Sequence, residues 1–146
     1  MTATVATTVA TTTAATTTTE ARRSHLLLKA TLVAGVVAAV TTAAVAATAH
    51  AAGVPLAIDG EQIPFLGFAQ MAFLGAVLGG LIAASLNRWS GQARQRFQVV
   101  AATLTGLSCI PSVTLPPDTA TKLTLVATHL IAAAIIVPVL VRRTAR

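Results

Sequence analysis

The sequence predicts an all-α fold, a four-transmembrane-helix bundle preceded by a disordered Thr/Ala-rich N-terminal tail. Only 10% of the 146 residues are charged, whereas a soluble domain has about 25%, and the mean hydropathy is +0.79. The chain contains four long runs without Asp, Glu, Lys or Arg, and basic residues lie between alternate runs. Too little polar side chain remains to cover a water-facing surface, so the composition argues against a soluble globular enzyme.

The first 24 residues are predicted to form a disordered cytoplasmic tail. Eleven of the first 20 residues are Thr, and this tract has no hydrophobic periodicity and nothing large to bury.

Residues 25–146 are predicted to form the membrane domain. A helical run of about 20 residues crosses a hydrocarbon core of roughly 30 Å, and each uncharged run is long enough. The third run is the weakest, because four hydroxyl residues dilute it and Pro111 interrupts it. The predicted helices lie at approximately 26–50, 64–87, 96–114 and 119–142.

The distribution of positive charge predicts the orientation of the bundle. Nine of the ten Lys and Arg residues lie before the first helix or at its start, between helices two and three, or after helix four. Because cytoplasmic loops of membrane proteins carry an excess of Lys and Arg, both termini are predicted to lie in the cytoplasm, with the chain in the plasma membrane. Nucleic-acid binding is not expected, since the basic clusters are short, flank apolar spans and lack interleaved aromatic residues.

One alternative concerns the first helix. Arg22-Arg23 before an apolar stretch resembles a twin-arginine export signal, and Ala49-His50-Ala51 has the form of a cleavage site. The apolar stretch is longer than the 7–15 residues of a signal core, which favours a retained helix.

Small side chains cover about half of helix two and are predicted to be its packing face. Residues three or four apart lie on one side of a helix, and small residues let neighbouring backbones approach closely. Packing within the bundle is favoured over a homodimer contact, because three other helices are available. The predicted packing residues are Ala72, Gly75, Ala76, Gly79, Gly80 and Ala83.

Polar stripes on helices three and four are predicted to face each other inside the bundle. One stripe consists of Thr105, Ser108 and Ser112, and the other of Thr121, Thr124 and Thr128.

His129 is the one ionisable side chain expected well inside the membrane, where such residues often serve proton or ion pathways. A structural imidazole bonded to a Thr hydroxyl is the simpler interpretation. His129, Thr128, Thr124 and the polar Gln70 of helix two are therefore the candidate functional residues.

Neither catalytic residues nor metal ligands are predicted, and no cofactor is expected. The three His residues belong to different levels of the bundle, Cys109 is a lone thiol, and no phosphate-binding loop or nucleophile constellation occurs.

Two segments resemble a known family. They are Gly53-Val54-Pro55-Leu56 through Ala69-Gln70, and Thr121-Lys122-Leu123-Thr124-Leu125 with Thr128-His129-Leu130. Together they resemble a family of small four-helix integral membrane proteins of actinobacteria, classed as a domain of unknown function. The resemblance implies a membrane protein and supplies no activity.

Two functions are compatible with these residues. The first is a structural or accessory membrane subunit in contact with the bilayer and with a second copy or a partner membrane protein. The alternative is a small proton-coupled transporter that uses His129 and the two hydroxyl stripes.

Overall fold

The computed structural model describes the backbone of residues 2–58, 60–116 and 118–144, and their side chains from residue 21 onwards. The chain forms four helices, which confirms the predicted all-α bundle, together with one very short hairpin. The elements are α1 (Thr2–Ala51), β1 (Ala57–Ile58), β2 (Glu61–Gln62), α2 (Phe65–Trp89), α3 (Ala93–Thr114) and α4 (Thr119–Val141).

All four helices are long and apolar enough to cross a membrane, and the qualifying part of α1 is Ala21–Ala51. Helix α1 includes residues 21–24 of the predicted tail, and the backbone of residues 2–20 is also helical, although the sequence predicts disorder there. This tract contains neither Gly nor Pro, so nothing in it breaks the helical register of α1. Its side chains lie outside the described residues, and disorder of the tail in solution stays a prediction.

Helix α1 ends in a Schellman motif that turns the chain back towards the bundle. The Gly53 N–H donates to the His50 carbonyl (2.9 Å) and the Val54 N–H donates to the Ala49 carbonyl (3.0 Å). Gly53 has a φ of 91°, a left-handed conformation that glycine adopts without a Cβ clash.

The hairpin that follows closes one end of the bundle. Its strands are antiparallel, with Ile58 paired to Glu61 and Gly60 (φ 84°) in the turn. Leu56 precedes β1 and is 1% exposed, packed in a cluster with Ala46 and Phe68. Leu56 also has a positive φ of 46°, which is strained for a residue with a Cβ. Burial of the Leu56 side chain therefore stabilises a backbone conformation at Leu56 that is unfavourable by itself.

Helix α4 begins at an N-cap. The Asp118 carboxylate accepts hydrogen bonds from the Thr121 N–H (2.7 Å) and the Thr121 hydroxyl (3.0 Å). Asp118 is therefore the N-cap residue of α4. The hydrogen bond from the Thr121 backbone is the main cause that lowers the pKa of Asp118.

In the bundle, α1 packs against α2 and α4, while α3 packs against α4 and α2. The interface between α1 and α2 is built from small residues on both sides. A Cβ placed on Gly35 of α1 would lie 3.1 Å from the Ala76 Cβ, and one on Gly80 of α2 would lie 2.5 Å from the Thr31 hydroxyl oxygen. The Thr42 hydroxyl oxygen of α1 lies 3.3 Å from the Phe68 carbonyl oxygen across the interface. Helices α1 and α2 approach each other closely because small side chains line their contact.

Candidate functional site

Helix α3 touches the bundle mainly near its two ends, and this leaves a groove beside its middle. Its buried residues are Ala93 and Phe97 near the start and Ser112 near the end. The groove between α2, α3 and α4 has a volume of about 840 Å³ and walls that are mainly apolar. Its size is that of sites that hold drug-sized molecules, roughly 300–1,000 Å³.

His129 lines this groove and is half-buried. Its Nδ1 lies 2.8 Å from the Leu125 carbonyl oxygen of its own helix and 3.5 Å from the Ser112 hydroxyl of α3. A carbonyl oxygen can only accept, so Nδ1 carries the proton in this contact. In the neutral ring Nε2 is then left with a free lone pair. The structure thus brings α3 and α4 together at the one imidazole that the sequence places inside the membrane.

The two predicted hydroxyl stripes are only partly brought together. Thr105, Ser108 and Ser112 line the groove from α3, and Thr128 lines it from α4. Thr124 is half-buried away from the groove, and its hydroxyl donates to the Ala120 carbonyl of its own helix (2.8 Å).

The other predicted residues of α4 and α2 lie apart from this site. Thr121 is fully buried, but it belongs to the N-cap of α4. Gln70 is exposed on α2 and does not line the groove.

Most of the small residues of α2 lie where helices meet. Ala72, Ala76, Gly80 and Ala83 are buried. A Cβ placed on Gly79 would lie 3.2 Å from Leu140 of α4, so Gly79 lies at a second helix contact.

Gly75 differs from the other members of this set. It is exposed at the groove, and nothing lies within 4 Å of a Cβ placed there. Within this chain Gly75 therefore makes no close helix contact.

The face of α1 that packs against α2 was not predicted from the sequence. Thr31, Gly35, Ala38 and Thr42 follow one another at intervals of four, three and four residues, which places them on one side of a helix. Ala38 and Thr42 are almost completely buried. The uniform Ala, Val and Thr content of α1 hides this face, because no strongly polar face contrasts with it.

The described residues contain no group of three His, Cys, Asp or Glu side chains that could hold a metal ion. The polar atoms available at the groove are one imidazole and several hydroxyls. This set can form hydrogen bonds with a bound molecule, and an imidazole can also carry a proton.

Comparison with known proteins yields a family. No curated protein and no solved structure matches the chain. A family model described as "Family of unknown function (DUF6069)" matches residues 22–146. The match covers most of the chain, including all four apolar helical spans, and the chain therefore belongs to the DUF6069 family.

Proposed function

We propose that this chain is a multi-pass integral protein of the plasma membrane that serves as a structural or accessory subunit. The observation that carries the proposal is the outer surface of the bundle. Large apolar side chains are exposed on every helix, including Val40 (65%), Leu81 (61%), Leu107 (58%) and Leu130 (54%). A surface of this kind is stable when lipid surrounds it and aggregates in water.

The bundle topology supports an orientation with both termini in the cytoplasm. Thr31 of α1 lies against Gly80 and Thr42 lies near Phe68, so α1 and α2 are antiparallel, and Asn87 at the end of α2 contacts Arg143 after α4. The start of the apolar span of α1 (Ala21), the end of α2, the start of α3 and the end of α4 therefore lie at one end of the bundle. The basic residues concentrate at this end, which is the charge pattern of a cytoplasmic face. They are Arg22, Arg23, Lys29, Arg88, Arg94, Arg96, Arg142 and Arg143.

The accessory role is supported by the composition of the spans. No Asp or Glu occurs in the apolar runs, and His129 is the titratable side chain at the groove. Such spans bind neighbours through packing and hydrogen bonds. The source in actinobacteria is supported by the sequence resemblance alone.

Cysteine accessibility tests the orientation. In a Cys109→Ser background, Gln62→Cys at the hairpin and Ser90→Cys between α2 and α3 are treated with a membrane-impermeant maleimide in intact cells. We expect labelling at position 62 directly and at position 90 only after permeabilisation. Labelling at position 90 in intact cells would contradict the orientation, and release of the protein by alkaline carbonate would contradict membrane insertion.

Native mass spectrometry of the gently extracted protein tests the accessory role. A mass near 14.8 kDa with a defined protein partner is the expected result. Loss of about 51 residues would instead identify the first segment as a cleaved signal. A chain with neither a partner protein nor a second copy would contradict the accessory role.

A small proton-coupled transporter is the second candidate, and the position of His129 favours it. The ring lies in the groove between two helices, with one nitrogen free in its neutral form. His129→Gln keeps a hydrogen-bonding side chain, but an amide does not take up a proton as an imidazole does. In proteoliposomes containing a pH-sensitive dye, a carrier would lose proton flux in this variant while Thr124→Val retained it. Equal flux in the parent and in His129→Gln would exclude the carrier.

A further inference from the structure

We propose that the groove between α2, α3 and α4 binds a neutral, lipid-soluble molecule that carries a hydroxyl as hydrogen-bond donor, such as a phenol or an alcohol. This inference rests on the membrane placement proposed above. It goes further because it gives the groove an occupant of defined chemistry.

The side-chain hydroxyls that line the groove have already used their protons. Thr105 donates to the Ala101 carbonyl (2.8 Å), and Ser108 donates to the Thr105 carbonyl (2.7 Å). A hydroxyl has one proton and two lone pairs, so each of these oxygens can only accept a further hydrogen bond. The same holds for the other three groove hydroxyls, whose protons are directed to backbone carbonyl oxygens: Thr42 to Ala38 (2.9 Å), Ser112 to Ser108 (3.3 Å) and Thr128 to Leu125 (2.8 Å).

His129 completes the set of acceptors. Its Nδ1–H is directed at the Leu125 carbonyl, so Nε2 of the neutral ring presents a lone pair. Among the described residues no buried side-chain nitrogen or oxygen lacks a partner. Nε2 has no hydrogen-bond partner among them and is therefore accessible. A groove whose polar atoms all accept is complementary to a ligand that donates.

Charge and access restrict the ligand further. No acidic residue occurs in the four apolar runs, so a cation in the groove would have no counter-charge and would lose its hydration. Met71, Leu78 and Leu104 line the groove and are also exposed at the outer surface. The groove therefore opens towards the lipid, and a neutral apolar molecule can enter it from the bilayer.

Two probes of nearly the same shape isolate the donor. 4-Octylphenol and its methyl ether, 4-octylanisole, differ in the presence of one hydroxyl proton. Equilibrium binding of each radiolabelled probe is measured on the protein in lipid nanodiscs, with empty nanodiscs subtracted. We expect the phenol to bind about two- to tenfold more tightly than the ether, the ratio for one hydrogen bond. This comparison uses the parent protein and needs no variant.

Three variants locate the binding. Gly75→Leu places a side chain in the groove at a position where nothing lies within 4 Å, so it fills the groove without a clash. Gly106→Leu is the matched control, since its surroundings are also open but it does not line the groove. His129→Leu removes the nitrogen acceptor.

The expected pattern is specific. Gly75→Leu weakens both probes at least tenfold, Gly106→Leu changes neither, and His129→Leu removes most of the preference for the phenol. Binding no greater than that of empty nanodiscs, equal binding of the two probes, or full binding by Gly75→Leu would overturn the proposal. A parent dimer that Gly75→Leu dissociates would also overturn it, because a second copy would then occupy the groove. Failure of membrane insertion would appear separately, as loss of the parent protein from the nanodisc fraction.

Discussion

Gly80 is the position where the contact between α1 and α2 can be tested most directly. A Cβ at this position would lie 2.5 Å from the Thr31 Oγ1 and 2.6 Å from the Thr31 Cγ2, whereas ordinary van der Waals contact begins at 3.4 Å. Thr31 is buried, and its hydroxyl is bonded to the Leu27 carbonyl (2.9 Å). Gly80→Ala therefore forces the two helices apart or forces Thr31 out of its conformation.

The magnitude follows from a comparison with Gly75→Ala on the same helix. At Gly75 nothing lies within 4 Å of the added methyl group, so this substitution changes helix propensity without a clash. Propensity favours Ala over Gly by about 1 kcal/mol in both variants and cancels in the comparison. Overpacking costs typically about 1–3 kcal/mol. We therefore expect Gly80→Ala to unfold with a free energy about 1–3 kcal/mol below that of Gly75→Ala.

Unfolding by sodium dodecyl sulfate in mixed micelles with a mild detergent, followed by circular dichroism, measures this difference. Thr31→Ala removes the two nearest atoms and leaves the Thr31 Cβ at 3.1 Å. Gly80→Ala combined with Thr31→Ala should therefore recover most of the loss in a double-mutant cycle. Equal stability of Gly80→Ala and Gly75→Ala, or no recovery in the double variant, would refute the close approach of the two helices at this point.

Two further predictions concern the connections between helices. Leu56→Ala should lower the free energy of unfolding by about 2–4 kcal/mol, because the buried side chain is lost. Leu56→Gly should lower the free energy of unfolding by no more than this, since glycine also relieves the strain of the positive φ. If the Gly variant were much less stable than the Ala variant in the same detergent titration, the strain at Leu56 would be contradicted. The lowered pKa of Asp118 means that its carboxylate stabilises the fold above the ordinary value of 3.8, and that this stabilisation is lost as the pH falls through the lowered value. The unfolding midpoint of the parent should therefore fall in acid more steeply than that of Asp118→Ala, and parallel pH profiles would contradict the N-cap.

The bounds of α2 and α4 could be predicted from the sequence to within two residues, whereas α1 begins at Thr2 and not at the predicted residue 26. The predicted third helix begins at residue 96, and α3 begins at Ala93, because the short connection of residues 90–92 leaves Arg94 and Arg96 inside the first turns. The strained connection at Leu56 could not be predicted, since a positive φ at Leu depends on the burial that its side chain finds after folding. The surroundings of Thr124 in α4 could not be predicted from the sequence either. Its spacing placed it with Thr128, but its side chain does not line the groove and its hydroxyl donates to the Ala120 carbonyl of its own helix.

The amino-acid sequence by itself determined the number of helices, the approximate extent of their apolar spans and the end of the bundle at which positive charge collects. These properties depend on how each segment partitions between lipid and water, which is set segment by segment. Only the tertiary structure decided that Gly80 lies against Thr31 and that Gly75 borders an open groove. It also decided that the hydroxyl protons of the side chains lining that groove are directed to backbone carbonyl oxygens. Apolar side chains gain little by leaving lipid for one another, so the contacts between helices depend on close packing of small residues and on individual hydrogen bonds, which composition and periodicity do not specify.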